Sequence, residues 1–266
     1  TLITLLFISS CSSKDWRSAS RESSGIAVKA EDQKEDIFQI YYARAFSWRG
    51  YLAVHPWVAW KLEDEDKYTV AQVTSWNIRR TGSAISIAKD LPDRKWFDND
   101  PTILYEVKGA GARAIIEKTK KLISEYPYKD KYTLWPGPNS NTFVSHIIRS
   151  IDELPLELPP HAIGKDYLVS STVVSESPSN KGFQFSLYGL FGLTMGVEEG
   201  VEVNLLGLSF GLDLEKNQGE GSKWELPLAA TYVIDQDGKI VYSFLNVDYV
   251  QRAEPSDIIN VLNSLK

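Results

Sequence analysis

Trp135-Pro136-Gly137-Pro138-Asn139-Ser140-Asn141-Thr142-Phe143-Val144 aims a rigid loop at a helix start, and the rest of the chain is read outward from it. Two prolines and a glycine continue neither a helix nor a central strand, so residues 135–138 form a fixed turn. Phe143, Val144, Ile147, Ile148 and Ile151 then recur at helical spacing, which predicts a helix to about Ile151. Asn139, Ser140 and Asn141 are all good N-cap residues, and a helix N-terminus offers free backbone N–H groups with a partial positive charge. A nucleophile or an anion would sit there; the plainer reading is that Ser140 or Asn141 only caps the helix.

Upstream, Ala112, Ile115, Ile116, Thr119, Leu122, Ile123 and Tyr126 mark a second helix, which must stop near Tyr126 because Pro127 follows. Its charged opposite face, with Arg113, Glu117, Lys118, Lys120 and Lys121, reads as solvated. Before it come aromatic and β-branched runs. Ile37–Phe46 and Tyr51–Lys61 suggest a hairpin, Tyr68–Trp76, Ala84–Ala88 and Ile103–Val107 further strands, and Pro56 puts the second run at an edge or a bulge. In that run His55 shares a face with Tyr51, Ala53, Trp57 and Ala59, opposite Leu52, Val54, Val58 and Trp60.

Downstream, Phe183–Leu212 alternates apolar with small or polar residues around Glu198-Glu199-Gly200, and its phase switches at Leu205-Leu206. That pattern reads as one long hairpin with a β-bulge, whose apolar face is expected to pack on its own domain, the other covers being a partner or a membrane surface. The end of the chain changes character. Leu226–Asp235 and Lys239–Phe244 read as strands around an Asp235–Gly238 turn, and Pro255 opens a helix. Residues 213–266 hold five basic and nine acidic residues, a net of −4 out of the chain's −6.

The 266 residues, 43% hydrophobic and 24% charged, suffice for one large domain and an appendage. The acidic balance argues against a nucleic-acid binder. One cysteine excludes an internal disulfide, and His55, His146 and His161 show no metal-ligand spacing, so neither metal nor cofactor is expected. Thr1–Phe7 is apolar, and Ile8-Ser9-Ser10-Cys11 resembles the lipobox of bacterial lipoproteins. Residues 1–11 are then a signal peptide clipped at its start, with Cys11 lipidated and the protein anchored to a membrane facing the periplasm. Residues 12–35 read as a tether, 36–212 as the main domain and 213–266 as a tail.

Asp15-Trp16-Arg17, Ala43-Arg44-Ala45-Phe46, Trp48-Arg49-Gly50, the opening stretch and Ala162-Ile163-Gly164-Lys165-Asp166-Tyr167 together resemble a Gram-negative bacterial family, domain of unknown function 3750, over about residues 15–212. Leu226-Pro227, Ala230-Thr231-Tyr232-Val233-Ile234-Asp235 and Arg252-Ala253-Glu254-Pro255 resemble the end of a thioredoxin-fold redoxin. That match leaves out the half that carries a redoxin's nucleophilic cysteine, so no peroxidase is implied. The Asn-Ser-Asn-Thr-Phe helix start after a strand histidine is similar to permuted papain-like enzymes of the PPPDE and LRAT groups. This implies Ser140 in the nucleophile's place and His55 as its base. The expected fold is α+β, an antiparallel sheet with two main helices, permuted papain-like, with a β-β-α thioredoxin-fold tail. The leading function is a non-catalytic binding or structural role in a membrane-anchored envelope lipoprotein; the alternative is a serine-dependent amide or ester hydrolase using Ser140 and His55. Asn139, Asn141, Lys165 and Asp166 are candidate binding residues, Lys165 and Asp166 also reading as a surface ion pair.

Overall fold

The computed structural model describes residues 15–154, 156–169, 173–197, 199–212, 229–234, 240–246 and 254–264. It is a mixed α+β structure that divides into two compact units, Thr1–Leu212 and Asp213–Lys266.

In the first unit, β1 (Ile37–Arg44) and β2 (Val54–Lys61) pair antiparallel from Ile37↔Lys61 to Arg44↔Val54. β3 (Thr69–Val73), β4 (Ile85–Lys89) and β5 (Thr102–Lys108) complete a five-stranded antiparallel sheet of order β4-β3-β2-β1-β5. β2 is therefore an inner strand, but its ladder to β3 begins only at Val58, so the missing N–H of Pro56 breaks no pairing on that side. Where a single strand over 68–76 is expected, the chain turns after Val73 into α1 (Ser75–Thr81), closed by Gly82 with φ +80°.

Alternation along β2 decides what each face meets. Val54, Val58 and Trp60 belong to the main core, with Phe38 and Ile40 of β1. Two helices cover this face: α2 (Ala110–Glu125), burying Ala112, Ile115, Ile116, Thr119 and Ile123, and α3 (Ser140–Arg149), burying Phe143, Val144, Ile147 and Ile148. Phe143 meets the Tyr126 ring edge-on at 5.1 Å. Trp57 and Ala59 join Tyr41, Ala43 and Val70 in a second core on the other face, under Trp96 and Ile103.

The expected tether is bound to the domain over its described residues. The buried Asp93 carboxylate accepts from the Ser23 and Ser24 hydroxyls and from the N–H groups of Ile26 and Ala27. Tyr68 donates to the Val28 carbonyl at 3.0 Å and the Lys61 ammonium to that of Gln33 at 2.8 Å. A buried carboxylate draws in donors, and short serines with free backbone N–H groups supply them.

Beyond α3, β6 (Val174–Glu176), β7 (Gly182–Leu187), β8 (Phe191–Gly196), β9 (Gly200–Leu205) and β10 (Leu208–Leu212) form a second antiparallel sheet in sequence order. The expected long hairpin is thus a meander. Tyr188-Gly189 (φ 53° and 70°) and Leu206-Gly207 (φ 55° and 86°) reverse the chain, and the phase switch at Leu205-Leu206 is a turn, not a bulge. The facing is inverted as well. Gln184, Ser186, Thr194, Asn204 and Ser209 are buried, whereas Phe183, Phe185, Leu187, Phe191, Met195, Val201, Val203, Leu205 and Phe210 are exposed. The expectation that the apolar face packs on its own domain is overturned: the polar face does, because it serves a buried charge network described below.

The second unit contains β11 (Ala229–Ile234) paired antiparallel with β12 (Ile240–Asn246), then α4 (Pro255–Ser264). The expected Asp235–Gly238 turn lies outside the described residues.

Candidate functional site

Asn139 organises the start of α3. Its extended backbone (φ −142°) lets Oδ1 accept from the N–H groups of Asn141 at 2.9 Å and Thr142 at 3.2 Å, while Thr142 Oγ1 accepts from the Asn139 N–H at 3.1 Å. This is a reciprocal capping box. The cap is therefore Asn139, with Ser140 in the first helical position. Asn139 Nδ2 donates to the carbonyls of Leu134 (3.0 Å) and Ile163 (2.9 Å), and Asn141 Nδ2 to Ile163 (2.8 Å) and Val54 (3.3 Å). Thr142 and Ser145 hydroxyls reach the carbonyls of Gly164 and Lys165 at 2.8 and 2.7 Å. The first turns of α3 thus hold the 163–165 segment carbonyl by carbonyl. Gly164 has φ +99°, and a Cβ there would come within 2.5 Å of Asn139 Nδ2, so both conformation and space demand glycine.

Ser140 is 3% exposed and lies beside the Tyr132 hydroxyl. Burial pushes the Tyr132 phenol up against the pull of Ser140 and of the Arg49 charge. The expected partner of Ser140 is elsewhere. His55 shares its side of β2 with Trp57 and Ala59, the face away from α3. There Nε2 hydrogen bonds Gln72 Oε1 at 2.8 Å, and the ring stacks on Trp96 with centroids 3.6 Å apart. The structure does not assemble a Ser140–His55 pair, and the reason is parity. Val54, whose carbonyl Asn141 reaches, faces the helix, so the next residue along the strand faces the opposite way.

Burial drives the His55 pKa down to about 4, only partly opposed by the Gln72 bond. Because the unfolded chain takes up the proton near pH 6.5 and the fold resists it, stability is full above that pH and falls as pH drops toward 4. Wild-type protein is expected to lose about 2–3 kcal/mol through this group between pH 7.5 and 4.5. Denaturant titrations at the two values, with His55→Phe losing correspondingly less, check it.

Lys165 and Asp166 are not on the surface. The Lys165 ammonium is 1% exposed, bonded to Glu157 and to Glu202 at 2.8 Å, with Asp166 at 3.6 Å. Burial pulls its pKa down, but Asp166, Glu157 and Glu202 together outweigh this and hold it above the ordinary lysine value. Asp166 accepts from Gln184 at 2.6 Å, Asn204 at 2.6 Å and Ser209 at 2.9 Å. Burial raises its carboxyl, but Lys165, Arg149 and those bonds prevail and lower it. Glu157 is pushed up by burial against the pull of Lys165. This network is what the polar face of the second sheet covers. Glu157, Glu202, Arg149 and Tyr132 were not legible as site residues; a lone glutamate in the apolar alternation Val201-Glu202-Val203 is the one available hint.

Among the described residues no group of three or more His, Cys, Asp or Glu is placed to hold a metal, and no helix is long and apolar enough to cross a membrane.

A buried cap, a sealed serine and an ionic network joining α3 and the 157–166 segment to the second sheet define an α+β protein with a rigid, internally bonded core segment. The chain belongs to the family described as protein of unknown function (DUF3750), whose profile matches residues 35–167. No curated protein and no solved structure matches the chain.

Proposed function

We propose that this is a membrane-anchored envelope protein, held through a lipidated Cys11 and facing the periplasm, whose main domain has a non-catalytic binding or structural role. The observation that carries the non-catalytic part is that every group of the expected catalytic site is already engaged in the fold. Ser140 is buried in the first turn of α3 beside Tyr132, and His55 is committed to Gln72 and Trp96 on the other face of the sheet. A general base must come within hydrogen-bond reach of the proton it takes. The anchor rests on the Leu6-Phe7-Ile8-Ser9-Ser10-Cys11 sequence.

The permuted papain-like relationship enters as an architectural one: a capped helix start laid against an antiparallel sheet, with the chemistry absent. The tail's two strands and helix are compatible with the redoxin resemblance, as a structural appendage with no thiol of its own.

Incubation of the folded protein with a serine-reactive phosphonate is expected to give no adduct. Stoichiometric labelling of native protein that Ser140→Ala abolishes would overturn the non-catalytic reading and reinstate the hydrolase.

A further inference from the structure

The outer face of the β6–β10 sheet is a row-by-row apolar surface. Val174, Phe185, Leu193, Val203 and Phe210 stand side by side across its middle, flanked by Phe183, Met195 and Val201 on one side and by Leu187, Phe191 and Leu205 on the other. Among the described residues only Glu176, in the short edge strand, brings a charge to it. The facing is built in, since the opposite side of the same strands carries the groups that satisfy Asp166 and Lys165. A one-residue slip would bury the phenylalanines and expel those polar partners.

We propose that this face docks onto the surface of a lipid bilayer. The chemistry of the face favours lipid over protein. Among the described residues it offers no side-chain hydrogen-bonding group apart from Glu176 at its edge. Protein interfaces carry roughly one hydrogen bond per 100–200 Å², and a hydrocarbon phase asks for none. Strands of five or six residues fall short of the roughly 9–11 that span a bilayer, so the contact is shallow. It rests on the anchor reading only for delivery to a membrane; the contact itself belongs to the sheet.

The test uses the chain from residue 11 onward with Cys11→Ser, so that no acyl chain contributes, co-sedimented with phosphatidylcholine vesicles and with vesicles containing phosphatidylglycerol. Binding to both is expected, undiminished at 0.5 M salt. Phe185→Asp with Val203→Asp should weaken it at least tenfold, each charge opposing transfer into the interface. Both side chains are exposed, so circular dichroism and thermal midpoint should hold, which separates lost docking from lost fold. Absence of sedimentation, binding only to anionic vesicles that salt abolishes, or a dimer that the two substitutions split would each overturn the proposal. Fatty-acid labelling of the Cys11 protein in a Gram-negative host reports separately on the anchor. Labelling without vesicle binding by the Cys11→Ser chain sinks the sheet contact alone, and binding without labelling sinks the anchor alone.

Discussion

Lys165→Met is expected to remove about 3–5 kcal/mol of folding stability, the cost of taking one partner from a buried ion cluster. Methionine replaces the stem but not the charge, leaving Glu157, Glu202 and Asp166 facing one another with only Arg149 nearby. Glu157, already pushed upward by burial, would then take up a proton, so the loss should shrink as pH falls toward the carboxylate range. Urea unfolding followed by tryptophan fluorescence reads the larger unit, since seven of the eight tryptophans precede Asp213. A loss under about 1 kcal/mol would mean that the cluster is solvated and behaves as a surface pair. Lys165→Met with Glu202→Gln should recover part of the loss, because the second change removes one unpaired charge.

The second large effect falls on the cap. Asn139→Ala removes an acceptor for two backbone N–H groups and a donor to two carbonyls. Loss of a cap costs about 0.5–2 kcal/mol, and stranding a buried polar partner about 1–3 more. An expected total of about 2–4 kcal/mol follows. Asn139→Ser keeps a cap oxygen but reaches neither Leu134 nor Ile163, and should fall between alanine and wild type. If serine and alanine are equal, the carbonyl contacts contribute nothing. If serine matches wild type, they are made good by water.

The first unit was legible where one strong periodicity had one explanation. α2 and α3 begin and end within three residues of the spacing, and β1, β2, β4 and β5 sit where β-branched and aromatic runs predict them. α1 was missed because Ser75-Trp76-Asn77-Ile78 follows a strand without a breaker, and seven residues are too few to show a helical period. The meander was read as a hairpin because Tyr188 and Leu206 occupy left-handed positions normally taken by Asn or Asp, so neither turn announces itself. In the site, the capping of α3 was visible in Asn139-Ser140-Asn141. The separation of Ser140 from His55 was present too, in the alternation of β2, but only the side on which α3 packs turns parity into a decision. Lys165-Asp166 read as a surface pair because adjacent opposite charges usually are one. Their burial depends on Gln184, Asn204 and Ser209, which lie 18 to 43 residues from Asp166 along the chain.

The strap over Asp93 bears on how such a protein can be cut. Family boundaries at 35 and 167 mark where sequences resemble one another, and they do not coincide with an excisable fragment. Trimming to them would strip Asp93 of Ser23, Ser24, Ile26 and Ala27 at one end, and Asp166 of Gln184, Asn204 and Ser209 at the other. Each carboxylate would lose its donors together with the chain that covers it, so a fragment that keeps both sites intact runs from the first serines of the strap to the last strand of the meander.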